Sequence, residues 1–244
     1  MENTLIPKKI HYFWFGGGQK PASVQKCIDS WHRFCPDFEV IEWNESNYDI
    51  HKHPFMEKAF EDEKWAFVSD YARLDILEQY GGIYLDTDVE VIKDLSPLCQ
   101  CKGYIGFEKE DLIGDGQGFG GVAHFQIFKE MLSCYDGLEE YIESPKLRTK
   151  ILLNHGLKLD GTRQKISEME IYPVEYFCPK SWATGRINIT PNTYSIHHFD
   201  GSWHGKSGKK YIVLMRALNR LFGIKKGNEI FEKIIYIKDR LKGN

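Results

Sequence analysis

Between Trp65 and Tyr80, the apolar residues Trp65, Val68, Ala72, Ile76 and Tyr80 recur at helical spacing, and Phe67, Tyr71, Leu74 and Leu77 fill a second side. The pattern predicts a helix buried around most of its circumference. Two of its few charges, Asp70 and Arg73, lie three residues apart and so share a face. Gly81 and Gly82 then supply a left-handed stop. From Ile83 onward the period changes to two. Ile83, Leu85, Val89 and Val91 fall on one side and Tyr84, Asp86, Asp88 and Glu90 on the other, which predicts one strand over residues 83–91. In an extended chain the carboxylates of Asp86 and Asp88 point the same way, roughly 7 Å apart. That separation is too wide for joint chelation of one small ion. It suits one carboxylate on a divalent cation and the other on a sugar or ribose hydroxyl. A bare D-x-D also marks solvated strand ends, but a buried helix and an apolar strand lead into this one.

The same patterning places the other elements. Residues 6–15 read as a strand closed by Gly16-Gly17-Gly18, 21–34 as a helix, 38–43 as a second strand, and 51–64 as a polar surface helix with His51 and His53 in solvent. Strand–helix–strand–helix–strand up to Val91 is the rhythm of a parallel sheet, in which ligands sit beyond the carboxyl ends of the strands. Trp14 and the Asp86/Asp88 pair both fall at such ends. Asn44, directly after the second strand, can reach a ligand there or serve as a plain turn residue. Downstream, 104–107 reads as a strand, and 125–135 and 138–142 as helices. Residues 114–121 are too glycine-rich for a helix or regular strand and suit the floor of a sugar pocket, with Asp115 and Gln117 as contacts. Residues 155–163 are read as a loop or short helix in the acceptor zone, and 171–179 as a strand and turn.

Composition narrows the class. The chain has 244 residues, 42% hydrophobic and 14% aromatic, which is a globular composition long enough for a substantial core. Net charge is −3, so no overall field argues for nucleic acid. The charge is unevenly spread. Residues 206–244 hold 11 Lys and Arg against 3 Asp and Glu, a balance of +8, so the rest of the chain carries −11. That tail has Leu214, Leu218, Leu221 and Phe222, then Ile230, Ile234, Ile235 and Ile237, at helical spacing. It reads either as a helical pair packed on the body or as a basic amphipathic surface for anionic lipid. The six cysteines form no C-x-x-C pair and no zinc spacing, the expectation for reduced thiols in a cytoplasmic protein. No stretch reaches the ~20 apolar residues of a membrane span.

The run S-D-x-x-R-x-x-x-L-x-x-x-G-G-I-Y-L-D-x-D, Ser69 to Asp88, resembles the signature of glycosyltransferase family 32, which is similar in turn to the glucosyltransferase domain of the large clostridial toxins. The resemblance implies a GT-A fold, a Rossmann-like and mostly parallel α/β sheet flanked by helices, over residues 1–205, with 206–244 as a helical extension packed on the same domain. It implies a retaining transferase that moves a hexose from a UDP-sugar, with Mn²⁺ or Mg²⁺, to a glycan or lipid-linked acceptor in surface-polysaccharide synthesis, working in the cytoplasm or against the inner face of the membrane. Asp70 and Arg73 would grip the donor sugar, Asp88 would hold the metal and Asp86 the ribose or sugar. The opening I-P-K-x-I-H-x-x-W-x-G is similar to the family's first strand and puts Trp14 on the uracil, with Phe13, Phe15, Asn44 and Tyr84 as further nucleotide contacts. His197-His198 before Ser202-Trp203 resembles the family's closing segment. It makes His198 the metal or phosphate contact, with His197 as the second choice, and Ser202 and Trp203 the cap on the pyrophosphate. A nucleotidyltransferase, or a GDP-mannose-dependent mannosyltransferase, is the alternative.

Overall fold

A computed structural model describes residues 5–200 and 205–242. The first strand is β1 (Lys9–Phe13), followed by α1 (Ala22–Phe34), β2 (Glu39–Trp43), α2 (Pro54–Glu61) and α3 (Trp65–Tyr80). Then come β3 (Gly82–Tyr84), β4 (Val89–Val91), β5 (Gly103–Lys109), β6 (Leu112–Gly114) and β7 (Phe119–Gly121). The body continues with α4 (Gln126–Ser133), α5 (Ser144–Asn154), β8 (Gln164–Ile166), β9 (Met169–Tyr172) and β10 (Ser195–His197), and the chain ends in α6 (Gly205–Phe222) and α7 (Ile224–Lys242). Eight strands form one sheet in the order β2-β1-β3-β7-β5-β9-β8, with β6 beside β5, while β10 and β4 form a small second sheet. Pairing is parallel along β2-β1-β3 and between β5 and β9, and antiparallel elsewhere. The main sheet is mixed, in an α/β arrangement with the expected parallel βαβ part at the N-terminus.

Helix α3 is the centre of the body. Every residue from Asp70 to Leu77 is buried, as its two apolar sides require. Gly81, at φ +64, ends it. A Cβ there would lie 2.8 Å from the Ala123 backbone nitrogen, so glycine is needed for space as well as for the turn. One apolar cluster lies around α3, α4 and β5, and a second lies around α1, β1 and β4 with Trp31 fully buried.

Four predicted elements differ. The stretch 83–91 is not one strand: β3 and β4 lie in different sheets, separated by a turn in which the Val89 N–H donates to the Asp86 carbonyl at 3.0 Å. The glycine-rich stretch is irregular over residues 115–118, as expected, but its end is strand, because β7 lies between β3 and β5 in the middle of the sheet. Its glycines are what allow this, since a Cβ on Gly120 would fall 2.6 Å from the Gly82 carbonyl oxygen and one on Gly121 2.6 Å from the Phe128 ring. Helix α2 is not a polar surface helix: it buries Phe55, Met56 and Ala59. His51 is exposed, as expected, but His53 accepts from the Phe55 N–H and stacks on Tyr71, ring centroids 4.4 Å apart. Residues 138–142 are not helical; the helix begins at Ser144, with Pro145 in its first turn.

The chain divides into two compact units. One comprises residues 1–179 and 189–198, the other 180–188 and 199–244. The second unit therefore takes in Lys180–Asn188 and begins before residue 206.

Candidate active site

Register fixes the edge of the sheet at which the site forms. In the parallel strands Phe13 pairs with Trp43, and His11 with Tyr84. Trp14, Asn44 and Asp86 therefore emerge at the same, carboxyl, edge of three adjacent strands, where ligands bind in such sheets. The Asp86 N–H is held by the Gly116 carbonyl at 2.9 Å.

The turn between β3 and β4 changes the geometry of the two aspartates. Because it folds the chain back, Asp86 and Asp88 are not splayed along a strand. Ligand atoms of Asp86, Asp88 and His197 all lie within 4.8 Å of one another, and among the described residues this is the group of acidic and imidazole side chains so placed. Strand β10 carries His197 beside Val89 in register, and its Nε2 lies 3.2 Å from Asp88 Oδ1. His198, one residue on, points the other way and meets Glu90 Oε2 at 2.9 Å. Alternation along β10 sends the His197 ring, the second choice, to the aspartates and the His198 ring to Glu90. Burial works to lower the pKa of His197, but the Asp88 carboxylate overrides it and raises the ring well above the usual value, with Cys178 a further hydrogen-bond partner.

Two carboxylates and one imidazole form a donor set that fits a divalent cation of the Mn²⁺ kind. The surrounding chain leaves room for such a set: a Cβ on Gly116 would lie 2.0 Å from Asp86 Oδ2.

Beneath the aspartates lies a buried charge network. Arg73 Nη2 reaches Asp70 at 2.9 Å and Asp86 at 3.3 Å, Nη1 reaches Asp115 at 3.2 Å, and Nε donates to the Ser69 carbonyl at 3.1 Å. The Tyr84 hydroxyl donates to Asp86 Oδ1 at 2.7 Å, under an Arg73 guanidinium 4.7 Å from its ring centre. Asp115 also accepts from Arg148 Nε at 2.9 Å and from the Ser144 hydroxyl at 2.7 Å. Burial pushes Asp70 up to about 6 against the pull of Arg73. Burial also acts to raise Asp115, but Arg73 and Arg148 hold it below the usual carboxylate range. Asp70 and Arg73, expected to grip the donor sugar, thus face each other, with the guanidinium spanning Asp70, Asp86 and Asp115 beneath the aspartates.

The other predicted contacts separate. Trp14 is half-buried, and its ring N–H donates to the Gly18 carbonyl at 2.6 Å, closing the glycine loop. Phe15, also half-buried, stacks on Phe13 at 5.2 Å and meets Phe60 edge-on. Phe13 is a core ring, set edge-on to Tyr48. Tyr84 is likewise buried and holds Asp86. Asn44 is a turn residue: its side-chain oxygen accepts from the N–H and hydroxyl of Ser46. Gln117 is fully buried and donates to the Phe107 carbonyl, so it shapes the floor from inside. Ser202 and Trp203 lie outside the described residues. Sequence reasoning missed Ser144, Arg148 and Tyr135. The Ser-Pro start of α5 was the available signal, since it puts Ser144 and Arg148 one turn apart on the same face.

Residues 21–104, which carry Asp70, Arg73, Asp86 and Asp88, match the family described as glycosyltransferase sugar-binding region containing DXD motif. The match covers about a third of the chain and includes the central motif. The chain is similar to two proteins of Schizosaccharomyces pombe. Inositol phosphoceramide mannosyltransferase 3 is 30% identical over 111 residues, which is 43% of this chain and 30% of that protein's length. Inositol phosphoceramide mannosyltransferase 1 is 24% identical over 232 residues, 88% of this chain and 67% of that protein. Among solved structures, the PaToxG glycosyltransferase is 21% identical with a TM-score of 0.48, covering 61% of this chain and 68% of that one.

Proposed function

We propose that the protein is a metal-dependent hexosyltransferase that uses a nucleotide sugar as donor. The observation that carries this reading is the convergence of Asp86 and Asp88, which lie within the segment that matches the glycosyltransferase family, with His197 from β10 at the carboxyl edge of the sheet. Asp88 and His197, with Asp86, would hold the divalent ion. When bound, that ion offsets charge building on the departing diphosphate. The chain's own residues do the rest. Tyr84 and Arg73 fix the Asp86 carboxylate, while Asp115, itself held by Arg148, holds Arg73 from behind. Trp14 offers its ring to the base beside the glycine loop; base stacking of this kind is worth about 1–3 kcal/mol. A front-face reaction, with the leaving phosphate accepting the acceptor's proton, needs no nucleophile from the protein. A UDP-hexose donor and a glycan or lipid-linked acceptor of surface polysaccharide follow from the sequence resemblance. A second reading, mannosyl transfer from GDP-mannose, is favoured by the mannosyltransferase relatives. A site of action in the cytoplasm or against the inner face of the membrane belongs to the same reading and follows from the sequence resemblance.

A screen of UDP- and GDP-sugars for release of the nucleoside diphosphate, with Mn²⁺ and with chelator, tests the proposal and separates the two donors. Asp88→Asn should abolish metal-dependent release while leaving the thermal transition in place. Release that survives both chelator and Asp88→Asn would overturn it.

A further inference from the structure

The two C-terminal helices contact each other through a narrow inner face. Gly227 lies against Asn219, where a Cβ would fall 2.2 Å from Asn219 Oδ1, and Asn219 donates to Asn228 at 3.0 Å. Further along, Tyr211 meets Phe231 edge-on. This inner face leaves a second set of apolar side chains uncovered. At the turn between the helices, where Gly223 takes φ +79, Leu221 is 76% exposed, Phe222 49% and Ile224 51%. Val213, two turns before Leu221 on α6, and Ile237 on α7 are exposed as well.

The charges at the same turn are equally unaccounted for by folding. Lys225 and Lys226 stand in the first turn of α7, which contains no acidic residue. Cations are disfavoured at that end of a helix by its dipole. Both are exposed, and neither forms an ion pair among the described residues, whereas Lys8, Lys20, Lys26 and Lys52 of the body are each paired with a carboxylate. The apolar tip thus gains nothing from folding, and its lysines oppose the helix dipole. Both are accommodated at one kind of surface, an apolar layer beneath anionic headgroups.

We infer that the turn of the α6–α7 hairpin, Leu221, Phe222 and Ile224 ringed by Lys225 and Lys226, inserts into the headgroup boundary of an anionic lipid bilayer. The contact is interfacial; among the described residues no helix is long and apolar enough to cross a membrane. A second copy of the chain fits less well, because the +8 balance of residues 206–244 would face itself. A nucleic acid would satisfy the lysines but leave the apolar tip in water. The inference stands independently of the donor chemistry.

The test is sedimentation of the full-length protein with vesicles of phosphatidylcholine alone and of phosphatidylcholine with about 30% phosphatidylserine. The protein should pellet with the anionic vesicles only, and less so at about 0.5 M salt. Lys225→Gln/Lys226→Gln should weaken partitioning roughly 25-fold, the equivalent of about 1 kcal/mol per charge. Leu221→Ser/Phe222→Ser/Ile224→Ser should weaken it roughly 100-fold or more. All five side chains are exposed, so both variants should keep the parent's circular dichroism and thermal transition, and their donor hydrolysis in solution should be unchanged. Equal binding to neutral and anionic vesicles, or variants that bind as the parent does, would overturn the inference. So would light scattering that shows a dimer dissolved by the same substitutions, or an RNA affinity lost in the lysine variant alone.

Discussion

Two adjacent histidines illustrate how much a single strand position decides. His197 and His198 differ by one residue, and alternation sends one to Asp88 and the other to Glu90. The aspartates alone give two carboxylates; the imidazole completes a set suited to Mn²⁺. His197→Ala should therefore weaken Mn²⁺ binding at least as much as loss of a residue behind a ligand does, roughly 10- to 100-fold. His198→Ala should leave it within a factor of about two. Titration of the protein with Mn²⁺ by electron paramagnetic resonance reads both directly, without donor or acceptor. The reverse ranking would return the ligand role to His198.

Among the secondary elements, β7 controls the site although it carries no ligand. Its glycines let the strand lie between β3 and β5, and Gly116 ahead of it leaves space for the Asp86 carboxylate. The two kinds of crowding predict different outcomes. A Cβ on Gly120 would meet backbone, the Gly82 carbonyl oxygen, which cannot step aside. Gly120→Ala should cost about 1–3 kcal/mol of stability in urea unfolding. A Cβ on Gly116 would meet the end of the Asp86 side chain, which can rotate away. Gly116→Ala should lower Mn²⁺ affinity tenfold or so with little change in the urea midpoint. Equal stability losses in both variants would show that Gly116 serves the fold alone.

Folding of the body depends on a histidine remote from the chemistry. His11 is fully buried in β1, its Nε2 2.9 Å from the Gly81 carbonyl and its Nδ1 accepting from the Trp43 ring N–H at 3.1 Å. Burial lowers its pKa from 6.5 to about 4, outweighing the Gly81 hydrogen bond. The unfolded chain therefore binds a proton that the folded chain refuses between these values. Stability from this group is complete above pH 6.5 and is lost as the pH falls toward 4. The loss should reach about 3 kcal/mol at the acid end. Urea unfolding of the parent and of His11→Asn across that window should show a steeper pH slope in the parent. Parallel slopes would mean that the ring is protonated in the fold.

The apolar spacing of α3, its Gly81 stop and the N-terminal βαβ rhythm were legible in the chain because each depends on local periodicity and on backbone freedom that only glycine has. The Ser69–Asp88 run was legible for the same reason, being contiguous. Pairings between distant segments were not. Asp115 with Arg73 and Arg148, His197 with Asp88, and the pairing of β7 with β3 join residues 33 to 109 positions apart. Nothing in local spacing encodes them. The turn at Asp86–Val89 was hidden by an alternation that two short strands in different sheets satisfy as well as one long strand does. Periodicity reports which face a residue takes within its own element. Only the closing of the sheets decides which other faces it meets, and the three ligand atoms converge through that closure.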